Sequence, residues 1–141
     1  MLKGIPSILS PQLMLALMEM GHGDELVIAD ANFPAVSNAK RIVRCDGHGI
    51  PELLTAIMQF FPLDQSVEFP VLLMEPADEQ SVPPIWSAYR EIIHQSGEPF
   101  QQFGHVGRFA FYERSRQAFA VVTTGEKASR GNLILKMGVV R

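Results

Sequence analysis

Cysteine is nearly missing from this sequence: among 141 residues only Cys45 carries a thiol. A lone thiol closes no internal disulfide and supplies no thiolate cluster for zinc. Uninterrupted apolar runs are also short, far below the roughly 20 residues that a membrane helix needs. The opening stretch, Met1-Leu2-Lys3-Gly4-Ile5-Pro6, has no apolar run behind its lysine, so no secretory signal is expected. Charge of one sign is not in excess either. With 12 Lys+Arg against 15 Asp+Glu the net charge is −3, and the basic residues are scattered. That argues against a nucleic-acid or anionic-membrane surface. Among common signatures, GxGxxG, Walker A, GxSxG and HExxH do not occur. Any catalysis is expected to use ordinary side chains, without metal or coenzyme.

What is present reads as one domain spanning 1–141, because 47% hydrophobic and 9% aromatic residues support a core at this length. Ser10-Pro11 opens a first helix, with serine as the cap and proline at the first helical position. Leu13, Met14, Leu17 and Met18 share one face of it, and Gly21 is expected to end it in the left-handed conformation. Glu25 to Asp30 reads as a buried strand closed by a carboxylate, and Arg41 to Cys45 as a weaker one. Pro51 begins a helix with Leu53, Leu54, Ile57, Met58 and Phe61 inward. Phe69 to Met74 is a strand. Pro84 leads a helix with Ile85, Trp86, Tyr89, Ile92 and Ile93 inward, stopped at Gly97. A short strand over Phe100 to His105, a short helix over Phe109 to Arg116, and strands over Ala118 to Thr124 and Leu133 to Lys136 complete the chain. Strands alternating with helices predict an α/β layered fold with a mostly parallel sheet flanked by helices. Such sheets hold ligands at the carboxyl ends of their strands, where Asp30 falls.

Four stretches carry chemistry. In Met20-Gly21-His22-Gly23-Asp24-Glu25 a histidine stands between glycines, on backbone that a ligand can approach closely. An unperturbed imidazole, with a pKa of about 6.5, gives and takes a proton near neutrality. The plainer reading is a turn with a polar surface histidine. His22, His48, His94 and His105 lack metal-site spacing. Asp30 suits orienting a sugar hydroxyl or a histidine, or simply caps the turn at Ala31-Asn32. Asp46 and His48 read as a similar turn, structural or supporting the residues that touch a ligand. Arg108 leads Phe109-Ala110-Phe111-Tyr112-Glu113, where its guanidinium either forks ligand oxygens or pairs with Glu113 in solvent. The loop from Thr123 to Asn132 is polar, and Asn132 offers a donor and an acceptor.

Taken together these stretches resemble the FucU branch of the RbsD/FucU family, the L-fucose mutarotases related to the D-ribose pyranases. The likeness runs through Ser10-Pro11, Glu19 to Glu25, Asp30-Ala31 with Phe33-Pro34, Asp46-Gly47 and Leu53-Leu54. It continues in Arg108 to Arg114, Ala118-Phe119-Ala120, Thr124-Gly125-Glu126 and Gly131-Asn132 to Gly138-Val139. The resemblance implies His22 as the acid/base residue and Asp30, Arg108 and the segment Arg130-Gly131-Asn132 as sugar contacts. It also implies a site without metal or coenzyme, in a protein that the missing signal and membrane run already lead one to expect in the cytoplasm. The expected assembly is a homo-oligomeric ring, commonly a decamer of two stacked pentamers, with sites completed between subunits. Two positions depart from the family pattern. Asn32 stands where fucose-type members often have His. Arg130 stands where they usually carry Tyr, which points to altered catalytic power or to a more oxygenated or anionic sugar.

The expected function is therefore anomer interconversion of L-fucose or a related monosaccharide by acid/base ring opening. The rival is a monosaccharide-binding protein without turnover, serving transport or sensing, and Arg130 is the feature that sustains it.

Overall fold

The computed structural model describes residues 1–76 and 82–141. A six-stranded sheet forms its centre, in the order β2-β5-β1-β6-β3-β4. The strands are β1 (Glu25–Ala29), β2 (Ile42–Cys45), β3 (Val71–Met74), β4 (Gly104–Val106), β5 (Ala120–Thr124) and β6 (Leu133–Lys136). Pairing is parallel for β1 with β5, β2 with β5 and β3 with β4, while β6 lies antiparallel to both β1 and β3. All strands but β6 thus point one way, as the alternating pattern predicted.

Strand residues alternate between two cores, which is why the strands read as unbroken apolar runs. Leu26, Ile28, Val71, Leu73, Val122 and Leu133 face one cluster. It is covered by α1 (Pro11–Glu19), α2 (Ile50–Ile57) and α3 (Ile85–Ser96). Val27, Ala29, Leu72, Val121 and Ile134 face the other, under α4 (Arg108–Gln117) and Phe111.

Caps set the helix bounds. Ser10 Oγ accepts the Leu13 N–H at 3.1 Å, and Gly97, at φ 86°, stops α3 as expected. The end of α1 differs from the expectation. The helix stops at Glu19, Met20 is extended, and the left-handed residue is Gly23 (φ 91°) rather than Gly21. The Gly23 N–H donates to the Met137 carbonyl at 2.8 Å, so a contact with the end of β6, not a helix-terminating turn, fixes this bend. Met18, expected inward, is 79% exposed, while Ala16 takes its place against the core.

The topology gives the sheet two distinct edges. Asp30, Glu75, Arg108 and Glu126 follow the carboxyl ends of β1, β3, β4 and β5, and Asn132 precedes antiparallel β6, so all gather at one edge. His22 precedes β1 and lies at the other.

Candidate functional site at the carboxyl edge of the sheet

The carboxyl edge holds an open polar cleft of about 270 Å³, lined by Asp30, Asn32, Arg108, Tyr112, Lys127 and Arg130 among others. Its floor is the β1 terminus locked to β6. The Asp30 N–H donates to Asn132 Oδ1 at 2.7 Å, across the antiparallel pair. Asp30 Oδ1 accepts the Asn32 N–H at 3.0 Å, so the carboxylate both closes its turn and borders the cleft. Partial burial pushes the Asp30 carboxyl up from its usual range. Hydrogen bonds from the backbones of Asn32 and Gly131 and from the Asn132 side chain oppose that rise without cancelling it.

One wall is the segment 127–132, held from beneath by α3. The Trp86 indole donates to the Arg130 carbonyl at 2.9 Å, and the Tyr89 hydroxyl donates to the Gly131 carbonyl at 2.7 Å. Tyr89 is fully buried. Burial, with the negative charges of Glu126 and Asp30 added, drives its phenol well above its ordinary value. It therefore serves as a fixed donor, not a proton shuttle. Arg130 has φ 59°, the one positive value among the described non-glycine residues. Its guanidinium Nη1 donates to the Glu75 carbonyl at 2.7 Å, spanning the cleft edge. Gly131 leaves little room for a side chain: a Cβ there would lie 3.2 Å from the Ala128 carbonyl oxygen and 3.3 Å from Tyr89 Oη, so its neighbours would have to give by a few tenths of an ångström.

The opposite wall is the start of α4. Arg108 Nε donates to Tyr112 Oη at 3.0 Å, one helical turn on, and Tyr112 packs edge-on against Phe33 with centroids 5.5 Å apart. Glu113, the alternative partner read from sequence, pairs instead with Arg116. Glu126 completes the frame from behind: Oε1 accepts the Ile50 N–H, Oε2 the Ala128 N–H, and its carbonyl the Ala31 N–H.

Asp30, Arg108, Arg130 and Asn132 thus meet around one cleft, while Gly131, between two of them, does not line it and is held from beneath by Tyr89. His22 does not join them within the chain. Along β1 at about 3.3 Å per residue, it stands roughly 15 Å or more from Asp30, farther than one monosaccharide reaches. Its own surroundings are a second cavity of about 340 Å³, with Asp64, Ser66, Glu98 and Arg141. Asp46 and His48 stay outside both, near Arg44 and Glu52 respectively. Sequence reasoning missed Tyr112, Lys127 and Asp64. The i, i+4 spacing of Arg108 and Tyr112 was available as a signal; for Asp64, held against β6 by tertiary contact, there was none. Among the described residues no three His, Cys, Asp or Glu side chains converge as a metal site.

The Tyr89 bond offers a direct check on the wall. Tyr89→Phe leaves a buried carbonyl without its donor, which costs about 1–3 kcal/mol. Thermal denaturation is expected to show that loss together with weaker ligand binding at the cleft. An unchanged midpoint would show that the segment is held otherwise.

A half-open cleft of polar side chains around one carboxylate thus lies at the carboxyl ends of a mostly parallel sheet, the place where α/β proteins hold small ligands. Residues 3–140 match the RbsD / FucU transport protein family, and the chain belongs to that family. It is 51% identical over 146 residues to the fucose mutarotase of Bos taurus, covering 99% of this chain and 94% of that one. It is 45% identical over 140 residues to the L-fucose mutarotase of Histophilus somni, covering 99% and 97%. The fold superposes on the fucose mutarotase of Streptococcus pneumoniae in complex with L-fucose with a TM-score of 0.95 at 46% identity, covering 99% of this chain and 100% of that one.

Proposed function

We propose that this protein interconverts the α and β anomers of L-fucose. The observation that carries the reading is the Asp30 cleft, in a chain that superposes over nearly its whole length on a fucose mutarotase holding L-fucose. The chemistry asks little of a site. A base takes the proton of the anomeric hydroxyl while the bond from C1 to the ring oxygen breaks and that oxygen gains a proton. Rotation about C1–C2 and reclosure from the other face give the second anomer. Only O–H bonds and the hemiacetal C–O bond change, so a single positioned acid/base group, worth roughly 10²–10⁴-fold, is sufficient.

In this reading His22 shuttles the proton, while Asp30, Arg108, Arg130, Gly131 and Asn132 hold the sugar. Asp30 accepts from hydroxyls; the Arg108 guanidinium, already oriented by Tyr112, donates to them. Because His22 and Asp30 stand at opposite edges, the working site needs a second copy whose His22 edge meets the first copy's cleft. A closed ring meets that need at every subunit, and a decamer of two stacked pentamers is the assembly we expect. Exposed apolar side chains such as Phe109 (76%) beside the cleft and Val140 (85%) near His22 support such contacts. The one buried free thiol, Cys45, suits a reducing cytoplasm.

Saturation transfer between the two anomeric proton signals of equilibrated L-fucose tests the reading. Exchange above the uncatalysed rate supports it; binding without exchange makes the protein a sugar carrier. Arg130 sets the second expectation. A guanidinium presents five donors and keeps its proton, so it holds oxygens better than it protonates them. Arg130→Tyr is expected to raise fucose exchange severalfold relative to exchange on a uronic acid. Equal rates on both sugars before and after the change would remove Arg130 from substrate choice.

A further inference from the structure

Glu126 stands behind the cleft without lining it, yet it bonds to two of the segments that border it. Its carbonyl accepts the Ala31 N–H at 2.8 Å, in the turn that carries Asp30. Its carboxylate is divided between two further partners. Oε2 accepts the Ala128 N–H at 3.1 Å, in the wall, and Oε1 accepts the Ile50 N–H at 3.0 Å, at the start of α2.

The backbone that presents this carboxylate is itself fixed. The Glu126 N–H donates to Thr124 Oγ1 at 3.1 Å, and that hydroxyl donates to the Ala29 carbonyl at 2.7 Å, at the end of β1. The Gly125 N–H donates to the His48 carbonyl at 2.8 Å. Only glycine fits so close an approach, because a Cβ at 125 would collide with the Asp46 carbonyl oxygen. The turn of Asp46 and His48, outside the cleft, thereby braces the residue next to Glu126. The wall needs such a support, since 127–132 contains neither helix nor strand. Trp86, Tyr89 and the Asn132 side chain tie its second half, and the Ala128 bond ties its first.

We propose that Glu126 is a positioning residue for the sugar: by bonding the Asp30 turn and the 127–132 wall at once, it sets the separation of the groups that grip the ligand's hydroxyls. A carboxylate accepts at both oxygens, so the Ile50 and Ala128 N–H groups are satisfied together, each by a charge-assisted bond. An amide of the same shape accepts at one atom and donates at the other, so one of those N–H groups then faces a donor. The wall loses either its own tie or its anchor on α2. Hydroxyls that do not react are gripped alike before and during ring opening, so a loosened wall weakens both states equally. The signature is a raised KM at constant kcat.

This inference rests on the reading of the cleft as the sugar site, and the experiment separates the two. Saturation transfer is measured against fucose concentration for the wild type, Glu126→Gln, Glu52→Gln and Asp30→Asn. Glu52 is the control because it caps the same helix, its Oε1 accepting the Gly49 N–H at 2.6 Å, with no bond to the wall among the described residues. Glu126→Gln is expected to raise KM about tenfold with kcat within about twofold of wild type, and Glu52→Gln to keep the wild-type KM. An unchanged KM in Glu126→Gln overturns the proposal, even where kcat falls, since a smaller folded fraction lowers kcat alone. A KM raised equally in both glutamate variants assigns the effect to the capping of α2 and overturns it too. Should Glu126→Gln fail to fold, Glu126→Asp takes its place with the same outcomes: it keeps the charge but is one methylene too short to span both N–H groups. If Asp30→Asn exchanges fucose as the wild type does, the reading of the cleft fails, whatever Glu126 does.

Discussion

His22→Gln is expected to exchange fucose anomers at the uncatalysed rate, a loss of about 10²–10⁴-fold, while its fold and assembly stay intact. The residue sits in a turn whose shape comes from backbone bonds, Gly23 to Met137 and Asp24 to Gly21, and its ring is half exposed. Removing an imidazole there creates no cavity and leaves no buried donor. Glutamine keeps a hydrogen-bonding group towards Asp64 but has no proton to exchange near neutrality. Saturation transfer reads the loss and light scattering checks the assembly. Full exchange in a well-assembled variant would remove His22 from the chemistry.

Asp30→Asn carries an expectation with two signs. Exchange is expected to fall about 10²-fold, because an amide cannot accept from sugar hydroxyls with a full negative charge. Stability is expected to rise at neutral pH. The folded state raises the Asp30 carboxyl above its ordinary value, so between the unfolded and folded values the native chain binds more protons than the unfolded one. Stability from this group therefore falls as pH increases through that window and stays reduced above it. Asparagine removes the penalty, and its carbonyl still accepts the Asn32 N–H. Melting curves of both proteins are expected to diverge above the window and approach each other below it. Loss of activity with a lower melting point at pH 7 would refute the account.

The two variants together probe where the site is made. Co-assembled in equal amounts, each subunit retains the half that the other lacks. If His22 comes from one copy and Asp30 from its neighbour, about a quarter of the sites in a random ring are intact and exchange returns. If both act from one chain, the mixture stays inactive.

Much of this architecture was legible because its signals are local. Ser10-Pro11 and Gly97 are caps whose chemistry acts within a few residues, and the apolar runs at 26–29 and 120–122 are what a strand buried on both faces requires. The direction of β6 was not legible: 133–136 looks like any other apolar strand, and only its pairing with β1 and β3 reverses it. The same limit applies to the site. Asp30 announces itself as a carboxylate ending a buried run, and His22 by its glycines. That the two face opposite edges follows from β1 running between them, which a list of candidates does not convey. Gly21 misled because a glycine after a helix usually marks a left-handed stop. Here the tie from Gly23 to β6 determines the bend instead.

Residue 130 has a further consequence through its backbone. Its left-handed conformation is held by an indole bond to its own carbonyl and a phenol bond to the next, both from α3 and neither involving its side chain. Those two bonds are open to any residue that accepts the left-handed backbone, whereas the guanidinium's bond to the Glu75 carbonyl belongs to arginine alone. A change of the group at 130 therefore leaves both α3 bonds available, and Arg130→Tyr is expected to keep the scaffold beneath the cleft as it was. Substitution is expected to cost the fold less at 130 than at Trp86 or Tyr89, whose side chains make the two bonds that hold the segment.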